Sequence, residues 1–247
     1  MSQKWTTQRE FIERVRQRAD MEDNYFVSDV EIQTYVNSGI AELHDILIQT
    51  YGQDYYVSSR TFTTTAGTDT YSLISGVAAT SDFYKLRGVD CMINGQEWFT
   101  LQPFNFNERN LYQNWGQWSV LGLSNIRYRL VGESIVFTPV PDAATSVRLW
   151  YIPTAFTFHG DPPLQVTPDD YAGQTYRDLN GYSEYVVIDA AIKCLQKEES
   201  DVQVLMLQKQ AMKKRIEDAA SNRDAGHPES VTDVYRGNNQ FWYSRST

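Results

Sequence analysis

Apolar residues in this chain recur every three or four positions at both ends and every second position in the middle. That double change of period is the strongest constraint on the fold, because it calls for helices, then strands, then helices again. Thr7 followed by Glu10 has the form of a capping box, and Phe11, Ile12, Val15 and Ala19 then fall on one helical face. Ser28 and Glu31 repeat the signal ahead of Ile32, Val36, Ile40, Leu43 and Leu47, so the spacing predicts a second helix ending near Gly52.

From Tyr55 the period becomes two, with Tyr56, Ser58, Arg60, Phe62 and Thr64 leaning one way. Asn94-Gly95 separates Leu86–Ile93 from Gln96–Leu101, and this dipeptide suits the positive φ angles of a type I′ hairpin turn. A second hairpin is expected across Ile126–Leu130 and Ile135–Thr138, turning at Gly132, with a further strand over Val147–Ile152. Pro139, Pro141 and Pro153 sit where a missing ladder N–H is tolerated, and the middle reads as an antiparallel β meander.

Residues 159–181, with Pro162, Pro163, Pro168 and several Asp and Gly, read as an irregular connection. A third helical stripe follows at Tyr185, Ile188, Ile192 and Leu195. The polar run at 197–200 interrupts it, and a fourth continues through Val202, Leu205, Met212, Ile216 and Ala219 until Gly226 and Pro228. The expected fold is therefore α+β: a helical bundle from residues 1–54 and 182–226, an inserted antiparallel β domain at 55–158, the connection at 159–181, and an extended tail at 227–247. That tail has no helical period but carries Tyr235, Phe241, Trp242 and Tyr243, which suggests a docking segment.

At 247 residues, with 41% apolar and 21% charged side chains, the chain can bury a core and is not disordered, collagenous or coiled-coil. A net charge of −9 is the wrong sign for gripping phosphates, so nucleic acid could pass by but not be held. The first residues lack the apolar core of a signal peptide and no stretch is apolar enough to span a membrane, so cytoplasmic synthesis without membrane contact is expected. Cys91 and Cys194 do not make a disulfide framework and read as small buried apolar residues.

Chemistry-bearing patterns are scarce. His44, His159 and His227 fit no metal-ligand spacing, and His44, beside the apolar stripe of the second helix, reads as a hydrogen-bonded structural histidine. Phosphate-cradling glycine loops and the nucleophile elbow are missing in their usual forms, so no catalytic, cofactor-binding or metal-binding residue is assigned and no enzymatic activity is expected. Asp169-Asp170 and Glu198-Glu199 could serve acid–base chemistry on a cell-wall sugar, but read better as solvated surface. Arg9, Arg14, Arg16 and Arg18 could touch phosphates, yet Glu10 and Glu13 on the same helix favour salt-bridged surface. The densest aromatic run includes Trp98, Phe99, Phe104, Phe106, Tyr112, Trp115 and Trp118. Trp98, Tyr112, Trp115 and Trp118 are the candidates for core or for a subunit or tail-protein interface, with sugar binding as the alternative.

Three stretches in order, Asp82–Val89 (DFYKLRGV), Glu133–Ile152 (ESIVFTPVPDAATSVRLWYI) and Gly181–Val234, together with Tyr35–Ile48 (YVNSGIAELHDILI), resemble the head-to-tail adaptor proteins of tailed bacteriophages. The resemblance covers nearly the whole chain and rests on the ordered combination, since no single motif is diagnostic. It implies a virion protein at the head–tail junction, assembled in the host cytoplasm, forming a homo-oligomeric ring, usually of twelve copies, beneath the portal protein. Such a ring extends the DNA channel, lets dsDNA pass without specific binding, and carries tail nozzle or fibre proteins. The resemblance further implies portal docking through the C-terminal segment, here through Tyr235, Arg236, Phe241, Trp242 and Tyr243. The competing reading is a carbohydrate-binding accessory or tail-spike module using residues 98–118.

Overall fold

The protein is described from a computed structural model, which covers residues 4–22, 26–93, 95–110, 126–160 and 175–221. Four helices account for the two ends of that range. The first, α1 (Gln8–Arg18), begins where Thr7 accepts a hydrogen bond from the Glu10 backbone N–H at 3.2 Å. The second, α2 (Asp29–Tyr51), has a complete capping box. The Ser28 hydroxyl accepts from the Glu31 N–H and the Glu31 carboxylate accepts from the Ser28 N–H, both at 3.3 Å. Gly52, at φ +86°, ends it in a conformation a side chain would resist.

The other two helices are α3 (Ser183–Lys197) and α4 (Gln203–Ser221). α3 packs on α1, α2 and α4, and α4 on α2, so that all four share one core that includes Phe11, Leu43, Leu47, Tyr185 and Ile216. α3 lies at its centre: Val186, Val187, Ile188, Ala190, Ala191 and Ile192 are all buried, so this helix is covered all round and not along one stripe.

Between α2 and α3 the chain forms strands. One sheet runs in the order β2 (Ser58–Thr63), β9 (Ser146–Pro153), β4 (Phe83–Ile93), β5 (Glu97–Thr100). The other runs β3 (Thr70–Ser72), β8 (Ser134–Thr138), β7 (Arg127–Val131), β6 (Gln102–Pro103). Phe62, Val89 and Leu149 from the first sheet and Tyr71, Ile135 and Phe137 from the second share a single core, the arrangement of a sandwich. Both expected hairpins are present, with Gly95 at φ +67° and Gly132 at φ +57° in their turns.

Three expectations need correction. The strands do not follow one another as a meander: β9 sits between β2 and β4, and β8 between β3 and β7, because pairing follows the apolar faces and not chain order. The β region is not wholly antiparallel either, since β6 pairs parallel to β7 over Gln102↔Arg127 and Pro103↔Tyr128; the chain between them is long enough to return before the second strand starts. The connection at 159–181 is not irregular throughout, because β10 (Thr175–Asp178) pairs antiparallel with β1 (Lys4–Thr7). That ribbon ties the beginning of the chain to the start of α3.

The α+β class thus stands, with four helices and mixed sheets. Among the described residues no helix is long and apolar enough to cross a membrane.

Candidate functional site

The outer face of the first sheet carries the most distinctive surface chemistry. Alternation along β9 buries Val147, Leu149 and Tyr151 and turns Arg148 and Trp150 the other way. Register then sets Asp90 of β4 opposite Arg148, and Trp98 of β5 opposite Met92. The Arg148 guanidinium lies 3.9 Å from the centre of the Trp98 ring and 5.6 Å from that of Trp150. The Trp150 indole N–H donates to Asp90 at 2.5 Å, and the Thr100 hydroxyl donates to the other Asp90 oxygen at 2.9 Å.

Both Asp90 oxygens are engaged and each indole is fixed by a cation or an acceptor. With both oxygens held, Asp90 is not poised for proton transfer. Trp98 is half-buried, and a sugar seeking it as a platform finds one ring face already occupied by Arg148. Sequence reasoning named Trp98 and missed Arg148, Trp150 and Asp90, although the alternation of VRLWYI already places Arg148 and Trp150 on one face. The remaining candidates, Tyr112, Trp115 and Trp118 and the tail residues Tyr235, Arg236, Phe241, Trp242 and Tyr243, lie outside the described residues, as do Asp169, Asp170 and His227.

The helical region holds a different polar cluster. Asp189 of α3, almost fully buried, accepts from Lys193 at 2.7 Å and from Lys209 of α4 at 2.8 Å. Lys209 also donates to Glu42 of α2 at 2.9 Å, and the Tyr185 hydroxyl donates to the same carboxylate at 2.6 Å. Burial works against the Lys209 ammonium, but its bonds to Asp189 and Glu42 outweigh that and hold its pKa above the usual lysine value. The cluster clamps three helices together.

The arginines of α1 are salt-bridged, with partners drawn mostly from other helices. Arg16 and Arg9 meet Asp29, Arg9 also meets Glu13, and Arg14 and Arg18 both meet Glu184. Cys91 and Cys194 are buried free thiols, which burial pushes up to about 12 and about 11. His44 departs from expectation. It is buried, but its Nε2 has no hydrogen-bond partner among the described residues; its ring instead stacks on Tyr56 at 4.7 Å and meets Tyr84 edge-on. Among the described residues no cluster of three or more His, Cys, Asp or Glu could hold a metal ion.

Compared with known proteins, the chain matches no curated sequence. It does match a family model, that of the SU10 adaptor protein, over residues 6–233. The match runs from β1 through both sheets and all four helices, so the chain belongs to the SU10 adaptor protein family, structural adaptors of bacteriophage virions.

Proposed function

We propose that this protein forms a ring, of twelve copies, beneath the portal, extending the DNA channel and carrying tail nozzle or fibre proteins. The observation behind this reading is the adaptor family match across nearly the whole chain. The physical properties of the chain agree with it. Twelve copies at −9 each give a strongly acidic assembly, and an acidic lumen repels DNA phosphates so that the genome slides without being bound. The salt-bridged arginines of α1 leave that balance unchanged, because each is already paired with a carboxylate.

In this reading the helices pack between neighbours around the channel, the Trp98–Arg148–Trp150 face meets a neighbouring copy or a tail protein, and the aromatic tail docks on the portal. Imaging of the purified protein alone and with its cognate portal rings, with mass determination on the same samples, tests it. Rings stacked on the portal with twelve adaptor chains are the expected result. A chain that stays monomeric and ignores the portal overturns it. Replacing both Phe241→Ala and Trp242→Ala should abolish portal binding with an unchanged circular dichroism spectrum. A double variant that binds as tightly as the parent removes the tail from the docking role.

A further inference from the structure

A cavity of about 470 Å³ opens where the helices meet the first sheet and the β1–β10 ribbon. Its size is that of a site for a small molecule or a pair of side chains. Trp5, His44, Tyr55, Tyr56, Phe156 and Tyr176 supply its aromatic walls. Tyr55 stands edge-on to Tyr56 at 4.8 Å, Tyr56 stacks on His44, and Phe156 lies 6.0 Å from Tyr176, so the walls are held in place by one another. Trp5 is half exposed at 52% and Arg177, its partner across the ribbon, also lines the opening. An exposed Trp beside an Arg over a tyrosine-rich hollow is the composition of a binding hot spot, and Arg177 offers a cation to an incoming ring.

The course of α4 indicates what fills it. Near the end of this helix the Arg215 guanidinium donates to the Asn180 carbonyl at 3.4 Å and lies over the Tyr182 ring. Tyr182 shares a hydrogen bond with Tyr51 at 2.9 Å, and Tyr51 packs on Tyr55 of the cavity wall. Leu179, next to Asn180, also lines the cavity. At Arg215, α4 thus touches the segment that carries Leu179 of the cavity wall; the helix ends six residues later at Ser221, with residues 222–247 still to come. Phe241, Trp242 and Tyr243 form the densest aromatic group in that remainder. The twenty residues from Ser221 to Phe241 can span up to about 70 Å, so the linker imposes no barrier, and tethering raises the effective concentration of the aromatics at this cavity.

We propose that this cavity is a receptor for the Phe241–Trp242–Tyr243 segment of the same chain, which fills it until a partner draws the segment out. The inference goes beyond the adaptor reading and is tested on the isolated protein without portal, so its failure leaves portal docking untouched.

The test is a disulfide trap. Thr154 is exposed on the cavity lining, and Ser244 follows the aromatic group. The double variant Thr154→Cys with Ser244→Cys, oxidised at low protein concentration and analysed by peptide mass spectrometry, should form an intramolecular bond between positions 154 and 244. The native Cys91 and Cys194 are buried and stay out of the exchange. Ser244→Cys combined with Glu133→Cys, on the exposed β7–β8 turn of the other sheet, is the control and should cross-link at least tenfold more slowly. Adding Trp242→Ala to the first pair should slow its closure at least tenfold. Equal rates at positions 154 and 133, or closure indifferent to Trp242→Ala, overturn the proposal. A bond found only between two chains overturns the same-chain assignment and gives the cavity to a neighbouring copy.

Discussion

The helical region and the sandwich solve the same problem with different materials. The helical core joins residues from opposite ends of the chain, Phe11 and Leu43 against Tyr185 and Ile216, and adds a buried carboxylate, Asp189, bridged by two lysines. The sandwich core joins segments within one stretch of sequence, and among the described residues its buried polar side chains include the uncharged Thr64 and Thr138. Thr64 bonds to the Ala143 and Thr145 carbonyls, and the Tyr71 hydroxyl donates to the Thr68 carbonyl at 2.8 Å. One unit depends on long-range closure and charge, the other on local ladders. Contact between them is narrow and mixes polar with aromatic pairs, through Tyr84 to Asp45 at 3.3 Å, Arg87 to Asp54 at 2.8 Å and the Tyr84 ring edge-on to His44.

That difference predicts separable unfolding. Phe137→Ala removes a fully buried ring from the sandwich and should cost it about 3–5 kcal/mol. Urea titration followed by near-UV signals from Trp98 and Trp150 should show an early transition, while helical circular dichroism at 222 nm holds until the parent midpoint. Leu43→Ala, costing about 2–5 kcal/mol, should do the reverse. A single coincident transition in both variants would break the comparison by showing that the two cores stand or fall together.

The ionic contrast is sharpened by Asp189→Asn. It leaves Lys193 and Lys209 close together without their shared carboxylate. A fully buried pair would lose about 3–5 kcal/mol. Partial exposure of both lysines reduces the expected loss to about 1–3 kcal/mol, read as a lower urea midpoint for the helical signal alone. A smaller effect of the same kind is expected at Gly39 of α2. A Cβ there would stand 3.1 Å from both the Asp189 carboxylate and a Val186 methyl, so Gly39→Ala should loosen the α2–α3 contact by about 1–2 kcal/mol. If Gly39→Ala is neutral in an Asp189→Ala background, which removes the terminal oxygens, the carboxylate and not Val186 sets the close approach.

How much of this was legible in the sequence depended on distance along the chain. The caps at Thr7 and Ser28 and the turns at Gly95 and Gly132 are decided within about four residues, and they stand in the structure at the expected places. The pairing of Trp5 with Arg177 is decided by the closure of the whole helical core, and no local pattern announces it. α3 offered an intermediate case. Its stripe through Ile188 and Ile192 was visible, but burial on every side was signalled only by a run, Tyr185–Ile192, with one charge in eight residues, the charge that the lysines neutralise. The Trp98 surface was half legible: alternation gives the face of each strand, whereas the meeting of Arg148 with Trp98 depends on β4 lying between β5 and β9.

The smallest predicted effect lies at the junction between the two regions. His44 of α2 is wedged between Tyr56 and Tyr84, with Asp45 alongside in sequence. Burial lowers its pKa below the ordinary value of about 6.5, and the Asp45 charge offsets only part of that. In the unfolded chain the imidazole takes a proton near pH 6.5, while the folded chain takes it only at lower pH. The unfolded state therefore binds more protons in that interval, and stability falls as the pH drops below about 6.5 and is fully present above it. Glu31, whose pKa is lowered chiefly by its bond to Lys197, contributes a further loss at more acidic pH, but equally in any His44 variant. His44→Phe keeps a ring against Tyr56 and removes both the titration and the unpartnered Nε2. Comparing urea midpoints at pH 7.5 and 5.5, the parent should lose more stability than His44→Phe. Equal losses would mean that the junction is open enough to hydrate the imidazole, and that the two regions are joined more loosely than their aromatic contact suggests.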